Sequence, residues 1–523
     1  MAMKDTFFRS MTWLHTWVGL LVCWLLFLIF IAGTLAFFRW ELNFWAKPEI
    51  HHFEQPQQRV AAQQAQIIQG FAYLQQQAPK SERWNISLAD ERKDWLTYSY
   101  QEPREPGKRA PWQDYYVNPK TLEGVDTVRE SKGGHFFYRL HFDLHYLDVR
   151  TARWLVCFAS LFMLIALITG VVIHKRIFKD LFSLRTNKGV RSWLDSHNLS
   201  SVLALPFHIM ITYTGLITLI FMLFPYPTMT AYDDGLRGFY ADVFNFQRTE
   251  PANEPTAMVG VNTLLDQLYT KWPDADIRQV RIDHPNDRSA SVRFIIDSGK
   301  AIVDRPPSIT FNATTGEVID INEVDRSVSE AIYDGMIALH AARMAQPVLR
   351  WLYVLCGLAG CIMIASGAIM WAKRLHQRNK KQRPAIGLHT VDSLNLGTFM
   401  GLPLATLAFF YANRLLPMHV SERADKEILA FFLTWAAVQA WAVFKPYSWR
   451  LLNAIIAGAC IGLVAINSMT TQGSLLHFID SKQWTLLGFD LVCLFAATCF
   501  AYAAYRGNRK QRTWLGSLEE LSV

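Results

Sequence analysis

Histidines are the residues of this 523-residue chain whose type and spacing point most directly to chemistry. Ionisable side chains inside a bilayer are costly and usually functional, and neutral imidazole is a good ligand for haem iron and transition metals. Axial histidines can also hold a haem between helices without any covalent attachment motif. Of the 15 histidines, seven lie at or inside four apolar runs and are candidate metal or cofactor ligands: His15, His141, His145, His174, His197, His208 and His340.

His141 and His145 are spaced as an i,i+4 pair at the start of an apolar run. That spacing also occurs in zinc sites, but no glutamate follows the first histidine, which disfavours a zinc protease. Two residues on one side of a helix cannot supply both opposed axial positions of one iron. We therefore expect one of the two to bind an iron whose second ligand comes from elsewhere in the chain.

His197 and His208 are 11 residues apart. On one continuous helix they would share a face and lie about 16 Å apart. His208 has no charged neighbour that explains it structurally, which favours a ligand role. The others have structural alternatives: His15 could belong to an aromatic belt, His174 to a helix end, and His197 to an N-terminal cap after Asp195.

Apolar runs supply the elements that must position these histidines. Hydrophobic residues make up 51% of the chain and charged residues 18%, less than the roughly 25% charged of soluble proteins. A helix that crosses a bilayer needs about twenty apolar residues. Eight runs reach that length, so we predict a polytopic α-helical membrane protein in contact with lipid, with about eight transmembrane helices: 12–37, 152–173, 199–224, 350–371, 394–412, 427–444, 451–469 and 485–505.

Lysine and arginine residues predict the orientation. They gather in the loops 174–198 and 373–390 and in the tail after residue 505, whereas the turn 470–484 has only Lys482. Short basic loops are usually cytoplasmic, so we expect both termini in the cytoplasm and the long segments outside. This topology explains most of the net charge of +8, and no nucleic-acid partner is expected.

The chain contains one unit twice. The segment 153–170 aligns with 350–367, because each begins with Arg-Trp and ends with glycine at the same separation. A Leu-His pair precedes each segment and ends in His141 or His340. The repeat therefore makes His141 and His340 equivalent positions, and His145 the additional one.

The first and third apolar runs correspond more loosely. His15 lies 18 residues before Gly33, and His197 lies 18 residues before Gly215. With the predicted orientation, His141, His145 and His340 lie at the outer level, and His15, His174, His197 and His208 lie toward the cytoplasmic level. Two levels of histidine suit two stacked b-type haems that carry electrons across the membrane.

Each long segment between membrane runs has the same order of patterns. An amphipathic stretch, 59–77 or 261–272, precedes several alternating stretches rich in β-branched and aromatic residues. This order predicts a helix followed by antiparallel strands, a small α+β module. The predicted organisation is 1–37 (N-terminus and first membrane helix), 38–150 (first external module), 151–224 (two membrane helices and a basic loop), 225–345 (second external module), 346–372 (fourth membrane helix), 373–392 (basic loop), 393–505 (four further membrane helices) and 506–523 (cytoplasmic tail).

Several motifs are absent from the sequence. All seven cysteines fall inside apolar runs, so no disulfide framework is expected in the external modules. No C-x-x-C-H stretch occurs, which excludes covalently attached haem. No dinucleotide or P-loop glycine pattern occurs either, so electrons would come from a quinol or a separate reductase.

Over about residues 8–375 the chain resembles the PepSY-associated transmembrane proteins. These are bacterial inner-membrane proteins in which small PepSY modules lie in the periplasm between membrane helices. The resemblance implies an association with iron acquisition, because some members are haem-bearing reductases of ferric siderophores. The stretches that carry it are WLHTWVGL (13–20), LHFDLHYLD (140–148), SWLDSHN (192–198), LPFHIMITYTG (205–215) and RWLY (350–353).

Together these observations give a hypothesis: an oxidoreductase with two noncovalent bis-histidine b haems that reduces a periplasmic ferric siderophore or other ferric chelate. The expected outer pair is His141 or His145 with His340, and the expected inner pair is His15 with His208 or His197. Two alternatives stay open. One is a PepSY binding or regulatory membrane protein without redox activity, and the other is a transporter component of iron uptake.

Overall fold

The computed structural model describes residues 2–103, 110–174, 184–244, 250–299, 301–323, 327–378, 386–471, 473 and 475–519. It contains two compact units. The helical unit comprises Met1–Ala46, Arg129–Leu216 and Pro347–Val523, and the sheet unit comprises Lys47–Val128 and Ile217–Gln346. Parts of the two basic loops that predict the orientation, 175–183 and 379–385, lie outside the described residues.

The α-helices are numbered in chain order, and a single 3₁₀ turn, Pro48–Ile50, lies between the second and third. They are α1 (Ala2–Ala36), α2 (Arg39–Trp45), α3 (Arg59–Gln77), α4 (Gly133–Asp143), α5 (Val149–Ile173), α6 (Val190–Leu203), α7 (Leu205–Thr218), α8 (Ile220–Leu223), α9 (Tyr226–Ala231), α10 (Leu236–Phe244), α11 (Val261–Lys271), α12 (Val328–His340), α13 (Pro347–Arg378), α14 (Ile386–Phe399), α15 (Gly401–Leu415), α16 (Arg423–Phe444), α17 (Trp449–Thr470), α18 (Leu475–Asp480) and α19 (Trp484–Glu519).

The helices confirm a multi-pass membrane protein. Among the described residues, seven helical stretches are long and apolar enough to cross a bilayer, and the bent pair α6–α7 makes an eighth if it is one span. The seven are Thr6–Ala36, Val149–Ile173, Pro347–Arg378, Gly387–Leu415, Arg423–Phe444, Trp449–Thr470 and Trp484–Arg506.

The third membrane helix differs from the prediction of one helix over 199–224. The structure has α6 and α7 in its place, bent by 68° at Ala204. Pro206 explains the break, because a proline has no N–H to continue the helical hydrogen bonds and its ring crowds the preceding turn. Since α6 begins at Val190, His197 lies in its second turn. The alternative of an N-terminal cap at His197 and the predicted face shared with His208 are therefore both wrong.

The sheet unit contains one eight-stranded antiparallel sheet in the order β4-β3-β2-β1-β5-β6-β7-β8. Each long segment supplies four consecutive strands, and β1 pairs with β5 at the centre, for example Trp84 opposite Ile282. The strands are β1 (Arg83–Ser87), β2 (Leu96–Gln101), β3 (Trp112–Val117), β4 (Gly124–Val125), β5 (Ile277–Asp283), β6 (Ser291–Ile296), β7 (Ser308–Asn312) and β8 (Val318–Asn322).

The two halves of this sheet share one hydrophobic core. Ile67 of α3 and Trp84 of β1 come from the first segment, and Leu265 of α11 and Phe294 of β6 come from the second. The side chain of Gln63, fully buried on α3, also joins the halves: it accepts the backbone N–H of Ile277 at 2.8 Å. The two modules expected from the sequence are therefore halves of a single sheet and core.

A buried ion pair fixes the segment that precedes α4, the helix that ends just after His141. Arg423 and Glu427, both almost inaccessible, pair at the start of α16. The carboxylate of Glu427 also accepts hydrogen bonds from Ser131 at 2.6 Å and Asn413 at 2.8 Å. Arg423 donates to the carbonyl oxygen of Glu130 at 3.0 Å. Residues 130–131 are thereby tied to the C-terminal helices.

Arg414 continues this network toward α2. Its guanidinium lies 3.6 Å from the centre of the Trp45 ring and donates to the Trp45 carbonyl oxygen at 2.7 Å. It also donates to Asn467, whose amide in turn donates to Asp490 at 3.1 Å. Buried charges need such partners, because desolvation otherwise costs more than the residues contribute. The network joins α2, α15, α17 and α19.

Removal of the Gln63 side chain tests the junction in the sheet unit. In Gln63→Ala the buried N–H of Ile277 loses its acceptor, which costs about 1–3 kcal/mol. We expect faster limited proteolysis within 47–128 and 217–346 of the full-length protein in detergent. Gln64→Ala, at an exposed position of the same helix, should leave the digestion rate unchanged. Equal rates for both variants would contradict the shared core.

Removal of the Glu427 carboxylate tests the buried network. Glu427→Ala leaves Arg423 buried without its counter-charge, and breaking a buried pair in this way costs about 3–5 kcal/mol. We expect a clearly lower melting temperature of the detergent-solubilised protein, followed by tryptophan fluorescence. Asp425→Ala on the exposed side of α16 is the matched control and should melt like the unmodified protein.

Candidate functional site

His15 on α1 and His197 on α6 face each other in the helical unit. Their ring centroids are 6.3 Å apart and their planes make an angle of 73°. Two imidazoles that bind one metal from opposite sides, each about 2 Å from nitrogen to metal, have centroids roughly 6 Å apart. The spacing therefore fits two axial ligands of one iron.

Backbone carbonyl groups fix the orientation of both rings. Nδ1–H of His15 donates to the carbonyl oxygen of Ala166 at 2.9 Å, and Nδ1–H of His197 donates to that of Met363 at 2.8 Å. A neutral imidazole that donates through Nδ1 keeps a lone pair on Nε2. This is the arrangement in which a ligating histidine is usually held, so Nε2 of each ring is the nitrogen free to bind a metal.

Each carbonyl that binds a histidine is followed four residues later by a glycine. A Cβ atom at Gly170 would lie 3.2 Å from Cε1 of His15, and one at Gly367 would lie 3.1 Å from the ring of His197. Both distances are tighter than ordinary contacts. The two glycines that the sequence repeat aligns thus make room for the two rings.

His141 repeats the same arrangement a third time. Its Nδ1–H donates to the carbonyl oxygen of Ile29 at 2.7 Å, and a Cβ atom on Gly33 would lie only 2.8 Å from the ring. Ile29 follows His15 by 14 residues on α1, a rise of about 21 Å. The helical unit therefore holds carbonyl-oriented histidines at two levels.

His145 does not form the expected i,i+4 pair with His141. The helix α4 ends at Asp143, and both Leu144 and His145 have left-handed backbone conformations, with φ of 51° and 61°. The ring of His145 stacks on Phe432 of α16, with centroids 5.6 Å apart. His145 thus lies beyond the end of α4, with its ring against α16. His141 is the histidine that shows the repeated arrangement with a carbonyl group and a glycine.

His208 is fully buried on α7 but lies away from His15. Its Nε2 contacts the carbonyl oxygen of Cys356 at 3.2 Å, and its ring packs against Phe30 at 6.0 Å. Phe30 is next to Ile29 on α1, so His208 lies at the level of Ile29 and His141, and not at the level of His15 predicted for it. The spacing is the reason, because the 11 residues from His197 to His208 correspond to about 16 Å along a helix. Of the two expected inner pairs, the structure brings together His15 and His197.

The other two candidate ligands are placed as follows. His174 caps the C-terminal end of α5, and its Nδ1 is buried without a hydrogen-bond partner among the described residues. His340 is the last residue of α12 in the sheet unit and is half-buried. Their ligand roles stay predictions.

The donor set suits haem iron better than a metal ion held by protein alone. Within the described ranges, no three histidine, cysteine, aspartate or glutamate side chains cluster as they would around such an ion. A haem iron takes four ligands from its porphyrin and needs only two from the protein. The pair formed by His15 and His197 meets that requirement.

The sequence did not reveal the carbonyl partners of these histidines. The aligned glycines, Gly170 and Gly367, were the available signal, because the carbonyl group that accepts from each histidine lies four residues before them. A helix carbonyl group points toward the side chain four residues later. Only a structure shows which histidine lies against which glycine.

The comparisons with known proteins agree with this architecture. Residues 12–374 match the family described as the PepSY-associated TM region. The chain is also similar to an uncharacterized protein of Pseudomonas aeruginosa, with 22% identity over 335 residues that cover 60% of this chain and 81% of that protein. Because the match to the family covers more than half of the sequence, the chain belongs to the PepSY-associated transmembrane family.

Proposed function

We propose that this protein is a haem b-containing reductase of the bacterial inner membrane. It passes electrons outward to a periplasmic ferric chelate, in particular a ferric siderophore, and so releases the iron. The observation that carries the proposal is the pair of opposed rings of His15 and His197, 6.3 Å apart, each oriented by a carbonyl group.

His15 and His197 would hold one haem through their Nε2 atoms, and His141 would supply an axial ligand of a second. When bound, haem supplies one-electron oxidation and reduction at its iron. The carbonyl groups of Ala166, Met363 and Ile29 keep the three imidazoles in the tautomer that can bind metal. Two levels about 21 Å apart along α1 suit transfer of electrons across the bilayer.

Paired charged side chains lie at the N-terminal ends of α5 and α13, the face at which the chelate would be reduced. Arg153 of α5 pairs with Asp143 at 2.8 Å, and Arg350 of α13 pairs with Glu41 at 2.7 Å. These arginines are the equivalent residues of the two repeats. Ferric chelates are held by hard oxygen ligands that prefer Fe(III), so reduction at this face weakens chelation and frees the iron.

The haem content of histidine variants tests the inner pair. The purified protein from haem-sufficient cells should show a Soret band and sharp α and β bands on reduction. His15→Ala and His197→Ala should each lose about half of the haem, because one of two sites loses a ligand. A pyridine haemochrome assay measures the content.

His389→Ala is the matched control, since His389 is exposed and its imidazole contacts the carbonyl oxygen of Val443. It should keep all of the haem. Colourless unmodified protein would refute the proposal. Full haem content in both His15→Ala and His197→Ala would refute the assignment of the pair. The reduced protein should also be reoxidised by a ferric hydroxamate with formation of Fe(II).

Enlargement of a glycine tests the close approach of helix and ring. In Gly367→Leu the new side chain occupies the space of the His197 ring, and we expect haem loss equal to that of His197→Ala. Gly458 lies on α17, and nothing lies within 4 Å of the Cβ position there. Gly458→Leu should therefore retain the haem content of the unmodified protein. Normal haem content in Gly367→Leu would show that the glycine is not required.

A further inference from the structure

Three polar side chains form a second cluster in the helical unit, at the opposite end of α13 from Arg350. His376 of α13 lies 2.6 Å from the carboxylate of Asp392 on α14, measured from Nε2 to Oδ2. The hydroxyl of Tyr447, between α16 and α17, donates to the same oxygen at 3.1 Å. Asp392 is buried, whereas the side chain of His376 is 31% exposed. The cluster therefore combines a buried acceptor with an accessible ring.

The hydrogen bonds define the proton-accepting atom of the cluster. A carboxylate only accepts, so His376 donates Nε2–H to Asp392, and Nδ1 is the ring nitrogen that can accept a proton when the ring is neutral. Burial, together with the charge of Asp392, raises the pKa of Tyr447 to about 12. Tyr447 thus remains a donor and holds the carboxylate in place. A carboxylate behind the imidazole stabilises the cation that forms when Nδ1 takes a proton.

The cluster lies close to the inner histidine pair. His376 follows Gly367, which contacts His197, by nine residues on α13, a rise of about 14 Å. Between them, Trp371 of α13 meets Trp17 of α1 with ring centroids 6.3 Å apart, and Trp17 is two residues from His15. One pair of aromatic rings therefore lies at an intermediate height along α13, between His376 and Gly367.

A buried apolar cluster adjoins the polar side chains. Leu388 and Val391, which precede Asp392 on α14, are buried together with Ala372. Leu20, Trp24, Trp371 and Leu375 pack against them. Trp371 and Leu375 are partly exposed, so a molecule bound beside His376 would have its polar groups near the imidazole and its apolar part against these two side chains and the lipid.

We propose that His376, Asp392 and Tyr447 form the proton-accepting side of a quinol oxidation site. The site would supply the electrons for the reductase, and this inference rests on the proposed function. The substrate class is a membrane quinol, because it carries protons together with electrons and is apolar apart from its head group. A protein donor or a hydride donor would need no imidazole–carboxylate pair at the membrane boundary.

The reaction balances as follows. Oxidation of one quinol to quinone breaks two O–H bonds and releases two electrons and two protons. Two ferric haem irons, held as proposed above, would each take up one of these electrons. Nδ1 of His376 takes the first proton and passes it to water, since the ring is partly exposed, and it then takes the second. Outward transfer of the electrons is favoured by a membrane potential that is negative inside.

The position of these residues also gives a role to the C-terminal helices. His376, Asp392 and Tyr447 all lie beyond residue 374, where the match to the family ends. Asp392 and Tyr447 belong to the additional helices and to the loop between two of them. The extension would therefore complete a donor site that the matched region does not contain.

Two measurements on the full-length protein in detergent test the proposal. The first is the rate at which decylubiquinol and menadiol reduce the oxidised haem. The second is equilibrium binding of decylubiquinone, followed by quenching of tryptophan fluorescence. His376→Gln and Asp392→Asn should slow reduction by quinol about 100-fold, the usual size of a general-base contribution. The extent of reduction by dithionite should not change.

His389→Gln is the matched control and should keep the quinol rate of the unmodified protein. Two results would overturn the inference: quinol fails to reduce haem that dithionite reduces, or both cluster variants keep the full rate. A protein without haem would instead overturn the proposed function. In that case binding decides, because equal affinity for decylubiquinone in the unmodified protein and in His376→Gln would also reject the site.

Discussion

The helical unit depends on one interaction, the hydrogen bond from a histidine Nδ1–H to a carbonyl oxygen of a neighbouring helix. A helix carbonyl group already accepts a hydrogen bond within its own helix, and its second lone pair faces the side chain four residues later. A side chain at that position would block it. Glycine leaves the lone pair open, which is why Gly33, Gly170 and Gly367 lie against histidine rings.

This constraint explains why the two copies of the repeat share the four-residue separation between the accepting carbonyl group and the glycine, although the accepting residues differ. Ala166 and Met363 are unlike in size, yet each offers only its backbone oxygen to His15 or His197. What must match is the interval between the acceptor and the glycine. The same physical requirement acts on a further pair of helices through Ile29.

The C-terminal helices contribute to both ends of the helical unit. At one end a buried network around Glu427 and Arg414 holds α2 and the residues before α4, so the segment that carries His141 has a fixed position. At the other end Asp392 holds His376. Buried charges of this kind specify one arrangement of helices because each loses its hydration and must find its partner. The additional helices thus hold in place residues that lie outside them, such as His376 on α13.

The sequence by itself determined the membrane class, the approximate number of spans, the strands of both long segments and the histidines worth testing, because hydrophobic length and periodicity are local properties. It could not determine that two segments pair through β1 and β5, that Pro206 divides a membrane helix, or that His145 turns away from His141. Only the tertiary structure decided that His197, and not His208, meets His15. Ring-to-ring contact depends on how separate helices bend and approach, and spacing along one helix does not contain that information.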